Sequence, residues 1–284
     1  MNILVTGSNG QLGNEVRIVS ESYKSFNFYF TDIEQLDITD YQKLEEFVTK
    51  IGINCIINCS GYTAVDKAES EKDLAFLIND TSVGYLADIS SKFKILLIHV
   101  STDYVFDGMS YIPYNEDDTT NPLSVYGSSK LAGEKKILSS NADTVIIRTS
   151  WLYSSFGNNF VKTMIRLGNE RDILKVVFDQ VGSPTYAYDL AVGIMKIVET
   201  ERKGISKEVY HFSNEGVTSW YDFAIAIMEE MNIKCKVLPI ETKDYPTPAK
   251  RPFYSVFNKS KIKNKFIIEI PHWRNSLREM LKKL

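Results

Sequence analysis

Residues 1–13, MNILVTGSNGQLG, set an apolar β-branched run directly against Gly7, Gly10 and Gly13. A strand that turns this tightly into a helix needs residues without Cβ, so that backbone can approach a pyrophosphate and the helix can lie close on the strand. The helix N-terminus then offers free N–H groups and a partial positive charge to phosphate. The pattern follows an apolar strand and precedes an amphipathic helix, which is the context that separates it from an ordinary βα turn.

The rest of the first half repeats the same rhythm. Asn2–Thr6, Asn27–Thr31, Asn54–Cys59, Ile95–Val100 and Thr144–Thr149 read as short, nearly all-apolar strands. Such strands need both faces covered, as in a parallel sheet between two helix layers. Gln11–Ser22, Tyr41–Ile51 (capped by Thr39 or Asp40), Asn79–Phe93 and Ser124–Ser139 carry apolar residues at helical spacing. The expected fold is α/β, a Rossmann-type doubly wound parallel sheet over residues 1–150. Residues 151–284 should form mainly a smaller, irregular substrate-binding lobe, with some returns to the sheet. Its expected helices are Asn159–Glu170, Tyr186–Glu201, Ser219–Met231 and Asn275–Leu284, and YPTPAKRP at Tyr245–Pro252 must be a fixed loop or a linker.

Composition narrows the function classes. With 33 basic and 36 acidic residues and a net charge of −3, there is no basic surface of the kind that binds nucleic acid. No apolar run has the length of a membrane span, and three cysteines are too few for a disulfide framework, so a cytoplasmic protein is expected. Cys55 and Cys59 lack the further ligands of a zinc site, and no metal is expected. His99, His211 and His272 are scattered and are given no catalytic role.

Asp32 ends the second strand, nineteen residues after Gly13. A carboxylate there accepts from adenosine ribose hydroxyls, which favours NADH. No arginine lies between Arg17 and Arg148 to meet a 2′-phosphate, although Lys24 or Lys43 could serve, so NADPH or NADH both stand. Tyr126 and Lys130 share one helical face. With 16 tyrosines and 25 lysines in 284 positions, one or two Tyr-x-x-x-Lys spacings arise by chance. Position is what distinguishes this one: it lies on the helix after the fourth strand, and Thr102 follows that strand's carboxyl end, where a cofactor binds. Hydride addition to a ketone builds charge on oxygen. A phenol can protonate it, with the Lys130 cation expected to lower the Tyr126 pKa and the Thr102 hydroxyl expected to donate to the oxyanion.

At these residues the chain resembles the extended short-chain dehydrogenase/reductase family, and within it the members that reduce dTDP-linked 4-keto-6-deoxy sugars. The likeness runs through TAVDKAESE, STDYVFDG, NPLSVYGSSKLAGE, RTSWLY, GNNFVKTM, DQVGSPT and YPTPAKRP, close to the whole length. It implies an oxidoreductase acting on the C4 ketone of dTDP-4-dehydro-6-deoxy-L-mannose. Tyr126, Lys130 and Thr102 would be catalytic. Gly7, Asn9, Gly10, Gln11, Leu12, Gly13, Asp32, Asp37, Ile38, Gly61, Tyr62 and Thr63 would hold the cofactor. Thr102, Asp103, Tyr104, Trp151, Asn159 and Arg251 would meet the sugar nucleotide. Asn58-Cys59-Ser60-Gly61-Tyr62 departs from the N-A-A-A-H common in relatives, and Tyr188 replaces a carboxylate that, with Glu15, holds Mg²⁺ between subunits in some of them. A monomer or weak homodimer is therefore expected. Two rivals remain: another nucleotide-sugar reductase or epimerase, and a non-catalytic nucleotide-binding regulatory subunit.

Overall fold

Strands with no polar face have no solvent side to offer, and here they have none. The computed structural model describes residues 1–200 and 207–284. Its main sheet contains β1 (Asn2–Thr6), β2 (Asn27–Phe30), β3 (Cys55–Asn58), β4 (Leu96–Thr102), β5 (Thr144–Thr149) and β6 (Glu208–Phe212). All pair in parallel, in the order β6-β5-β4-β3-β1-β2. Every residue of β3 and β5 is buried. Alternation sends Ile3, Val5, Ile57 and Ile147 to one face, against α1 (Gln11–Ser20) and a long helix at Ala187–Thr200. Leu4, Ile56, Leu97 and Ile146 meet α2 (Tyr41–Ile51), α3 (Ser82–Phe93) and α4 (Val125–Ser139) on the other. A doubly wound sheet is the result, with the chain reversing direction across the sheet between β1 and β3.

The expected strands are found, with small changes at their ends. β4 runs on to Thr102, so that residue closes the strand instead of following it. α2 is capped by Asp40, whose side chain accepts from Lys43 N at 3.1 Å. The expected helix Asn79–Phe93 begins earlier, at Lys72–Phe76, and passes through a π-turn at Leu77–Thr81 before α3. That turn swings Asn79 inward, where its side chain bonds the Tyr62 backbone and Ser129. Such π insertions concentrate at functional sites.

β6 and the Ala187–Thr200 helix come from beyond residue 150 and complete the sheet layer. The expected end of that helix, Glu201, lies outside the described residues. The remaining C-terminal elements build a second core around helices α5 (Phe160–Glu170), Trp220–Glu230 and Trp273–Leu281 and a two-stranded parallel pair, Ile173–Val177 with Lys236–Ile240. Tyr245–Pro252 has no regular structure but is fixed: Ala249 N and the Arg251 guanidinium both bond Asp66. Among the described residues no helix is long and apolar enough to cross a membrane.

Candidate active site

A cleft of about 930 Å³ opens over the carboxyl ends of β1, β3, β4 and β5, where this topology places ligands. At its floor the chain leaves β1 through Gly7, which has φ +63° and sits so close to Ser60 that a Cβ would lie 2.7 Å from its backbone. Gly13 packs α1 onto the turn; a Cβ there would lie 2.5 Å from the Gly7 carbonyl oxygen. Gly10, Asn9, Gln11 and Leu12 line the cleft beside them. Asp32 lines it too, and its carboxylate accepts from Asn9 N and Ile33 N, both at 2.9 Å. It ties the glycine turn to the end of β2. Asp37, Ile38, Gly61 and Thr63 continue this wall. Lys43 is drawn off to Asp40 at 2.9 Å.

The opposite wall carries Thr102, Asp103, Tyr104, Tyr126, Lys130 and Trp151. Ser124 caps α4, accepting from Gly127 N at 3.1 Å, and so sets the first turn that presents Tyr126. The Tyr126 and Tyr104 rings meet edge to face at 5.4 Å. Burial pushes the Tyr126 hydroxyl up to about 12, with the neighbouring Thr102 hydroxyl pulling down and the Asp103 charge pushing up. Burial also raises Asp103 to about 6, against the bond it receives from the Thr102 hydroxyl. Thr102 Oγ1 donates to Asp103 Oδ1 at 3.0 Å and accepts from Tyr104 N at 3.2 Å.

One expectation is corrected here. Lys130 does not lower the Tyr126 pKa. Its Nζ curls back to donate to the Val100 carbonyl at 2.6 Å and meets His99 Nε2 at 3.3 Å, so desolvation governs the phenol. Lys130 itself is lowered to about 8 by burial, with Glu134 and Cys59 acting in the opposite direction. His99, given no role from sequence, is a direct neighbour of this lysine.

Trp151 has φ +49°, a conformation costly for a bulky side chain and frequent where function holds strain. Its ring stacks on Trp220 at 3.6 Å, and only the missing side chain of Gly182 leaves room for it. Trp220 thus supports a cleft residue, which its helix position alone did not reveal.

Four expected site residues stand outside the cleft wall. Gly13 lies beneath it. Tyr62 turns outward to bond Glu71 through its hydroxyl. Asn159 caps α5 through Lys162 N and donates to Gln11 Oε1 at 2.9 Å, while its neighbour Asn158 faces the cleft. Arg251 forms a two-point ion pair with Asp66 at 3.1 and 2.7 Å, so its fork is already filled. Leu74, Leu77 and Ile78 add an unforeseen apolar rim. They come from the π-turn region, where helical spacing is broken. Cys59 also faces the cleft, but burial raises its thiol to about 12 and keeps it un-ionised. Glu15 is buried on Ser154 Oγ at 2.7 Å, near Lys283 at 3.9 Å.

The whole chain compares closely with known proteins. The dTDP-4-dehydrorhamnose reductase of Aggregatibacter actinomycetemcomitans is 41% identical over 98% of this chain and 97% of its own. The crystal structure of a dTDP-4-dehydrorhamnose reductase from Clostridium acetobutylicum matches with a TM-score of 0.95 and 41% identity, covering 100% and 99% of the two chains. The same enzyme from Bacillus anthracis, solved in complex with NADP, also gives 0.95, at 39% identity and the same coverage. The model of the RmlD substrate binding domain family matches residues 1–284. By sequence and by fold, the chain belongs to the RmlD substrate binding domain family.

Proposed function

We propose that this chain reduces the C4 ketone of dTDP-4-dehydro-6-deoxy-L-mannose to give dTDP-L-rhamnose, with NADPH or NADH as reductant. The observation that carries the reading is the meeting, in one cleft, of the glycine turn with Tyr126, Thr102 and Lys130. Identity of about 40% to reductases of that name, end to end, supports the choice of sugar.

The residues fit a dinucleotide. A Cβ at Gly7 would strike the Ser60 backbone, and the turn it permits leaves Asn9 to Leu12 and the start of α1 open to the cleft. Asn9, Gly10, Gln11, Leu12, Asp32, Asp37 and Ile38 would hold the adenosine half, and Gly61, Thr63 and Lys130 the nicotinamide half. When bound, the reduced nicotinamide supplies the hydride that reaches the ketone carbon. Tyr126 holds a proton at its hydroxyl and gives it to the ketone oxygen as charge develops there. Its high pKa keeps that proton in place across the neutral range, and the substrate oxygen becomes far more basic on reduction. The Thr102 hydroxyl would bond the same ketone oxygen, and Asp103, Tyr104 and Trp151 would enclose the sugar. Asp66 holds Arg251 at the lobe edge, where a diphosphate could draw the guanidinium away from it. A soluble cytoplasmic monomer or weak homodimer suits this role.

The reading is tested by following oxidation of NADH and NADPH with the dTDP-4-keto sugar supplied and identifying the product by NMR. Turnover to dTDP-L-rhamnose is expected. Dinucleotide binding without turnover of any nucleotide sugar would point to the regulatory alternative, and turnover of a different nucleotide sugar to the other reductase or epimerase. A preference for NADPH of about tenfold or more, near 1.4 kcal/mol, would overturn the reading of Asp32 as a ribose ligand.

A further inference from the structure

Thr6, Asn58 and His99 make a row of buried polar side chains across three neighbouring strands. The register sets Thr6 beside Asn58 and Asn58 beside His99. Buried polar groups of this kind carry a large penalty unless each is satisfied, so their orientations are tightly determined.

The hydrogen bonds give the row a direction. Ser60 N donates to Asn58 Oδ1 at 3.1 Å, and the Thr6 hydroxyl donates to the same oxygen at 2.7 Å. A backbone amide can only donate, which fixes that oxygen as the acceptor and turns the amide nitrogen, Nδ2, to His99 Nδ1 at 2.9 Å. Nδ1 therefore accepts, and the neutral imidazole carries its proton on Nε2. Nε2 lies 3.3 Å from Lys130 Nζ. An ammonium has three donors and no acceptor, so it meets this N–H head on, whereas a free amine has a lone pair to receive it.

We propose that His99 is a positioning residue for Lys130: held in one tautomer by Asn58, it offers a donor that only the free amine can accept, and so keeps the lysine poised between its two protonation states. The inference rests on reading Lys130 as part of the reductase's proton machinery. The other groups around the lysine agree. Glu134, one turn along the same helix, favours the cation but is engaged by Arg148 of β5 at 2.8 Å. Cys59, past the end of β3, is held as the thiol, and Tyr126 is held as the phenol. Burial keeps His99 uncharged, and the lysine charge opposes its protonation further. Lys130 accordingly stands well below a free lysine, at about 8. In its ammonium form a lysine poised there would hold the proton that restores the Tyr126 phenol after each turnover.

NMR of protein with labelled lysine side-chain carbons tests this, the Lys130 signal being assigned by its loss in Lys130→Arg. His99→Phe removes the donor, and the Lys130 midpoint should rise by about one pH unit or more. His99→Gln restores an N–H and should return it to within about half a unit of the parent. Asn58→Asp, nearly the same size, should draw the imidazole proton to Nδ1, leave Nε2 as an acceptor for the ammonium, and also raise the midpoint. This variant keeps the test available should His99→Phe fail to fold. The alkaline limb of kcat/KM should move with the NMR midpoint. An unmoved midpoint in His99→Phe or Asn58→Asp overturns the inference and leaves the reductase reading standing. Loss of turnover in the parent protein would sink that reading while the midpoints are still measured.

Discussion

Asp103 is buried, and among the described residues no cation holds its pKa down, so its titration should be visible in the stability of the fold. Its pKa is raised from 3.8 to about 6 by burial. A group bound more tightly to its proton in the folded state stabilises fully below the unfolded pKa, and that contribution is lost as pH rises through the folded one. Stability should therefore fall between pH 4 and about 6 by about 3 kcal/mol from this residue. Asp103→Asn, which cannot ionise, should lose the slope. Thermal melts of both proteins across that window measure it, and parallel curves would show that Asp103 is not the source. Residue roles were unevenly legible. Tyr126, Lys130 and Thr102 could be found because one helix and one strand end carry them. His99 and Asn58 could not, since only strand register makes them neighbours. The ion pair of Arg251 was hidden for a related reason: its partner Asp66 is 185 residues away in sequence.

The turn from β1 into α1 is the element on which the cofactor reading depends, and its glycines are fixed by contact distances. Gly13→Ala would press a methyl group to 2.5 Å from the Gly7 carbonyl, backbone that cannot move without disturbing the cleft floor. It should cost about 2 kcal/mol or more of stability and weaken NADH and NADPH binding together. A useful comparison is Ser219→Ala in the lobe, which removes the cap that accepts from Asp222 N at 3.0 Å and donates to Asp222 Oδ2 at 2.6 Å. It should cost about 1 kcal/mol and leave dinucleotide affinity unchanged. Calorimetry and dinucleotide titration on the two variants separate a loss of fold from a loss of site. Equal affinity losses would detach the turn from the cofactor. This turn and the first five strands were readable because continuous apolar runs alternate with helical spacing. β6 was not: Glu208 and His211 interrupt its apolar pattern, and its place beside β5 is set by tertiary packing. The π-turn escaped for the opposite reason, since its residues keep helix-forming composition while the hydrogen bonding slips by one.

At the scale of the whole molecule, the core around the main sheet and the smaller C-terminal core are joined beside the cleft. Gln11 on α1 bonds Asn159, Glu15 bonds Ser154, and Asp66 bonds Arg251. These bonds tie the C-terminal core to the sheet beside the cleft, whereas the glycine turn and Tyr126 both come from elements packed on the sheet itself. The sheet would thereby bring an acid and a hydride donor to one substrate atom, and the account depends on the phenol being that acid. The direct check is Tyr126→Phe, measured for both reduced-dinucleotide affinity and turnover of the dTDP-4-keto sugar. Affinity should stay within about threefold of the parent while kcat falls by about 10²–10⁴. A phenylalanine enzyme that turns over within about tenfold of the parent would contradict the account, because some other group would then be delivering the proton.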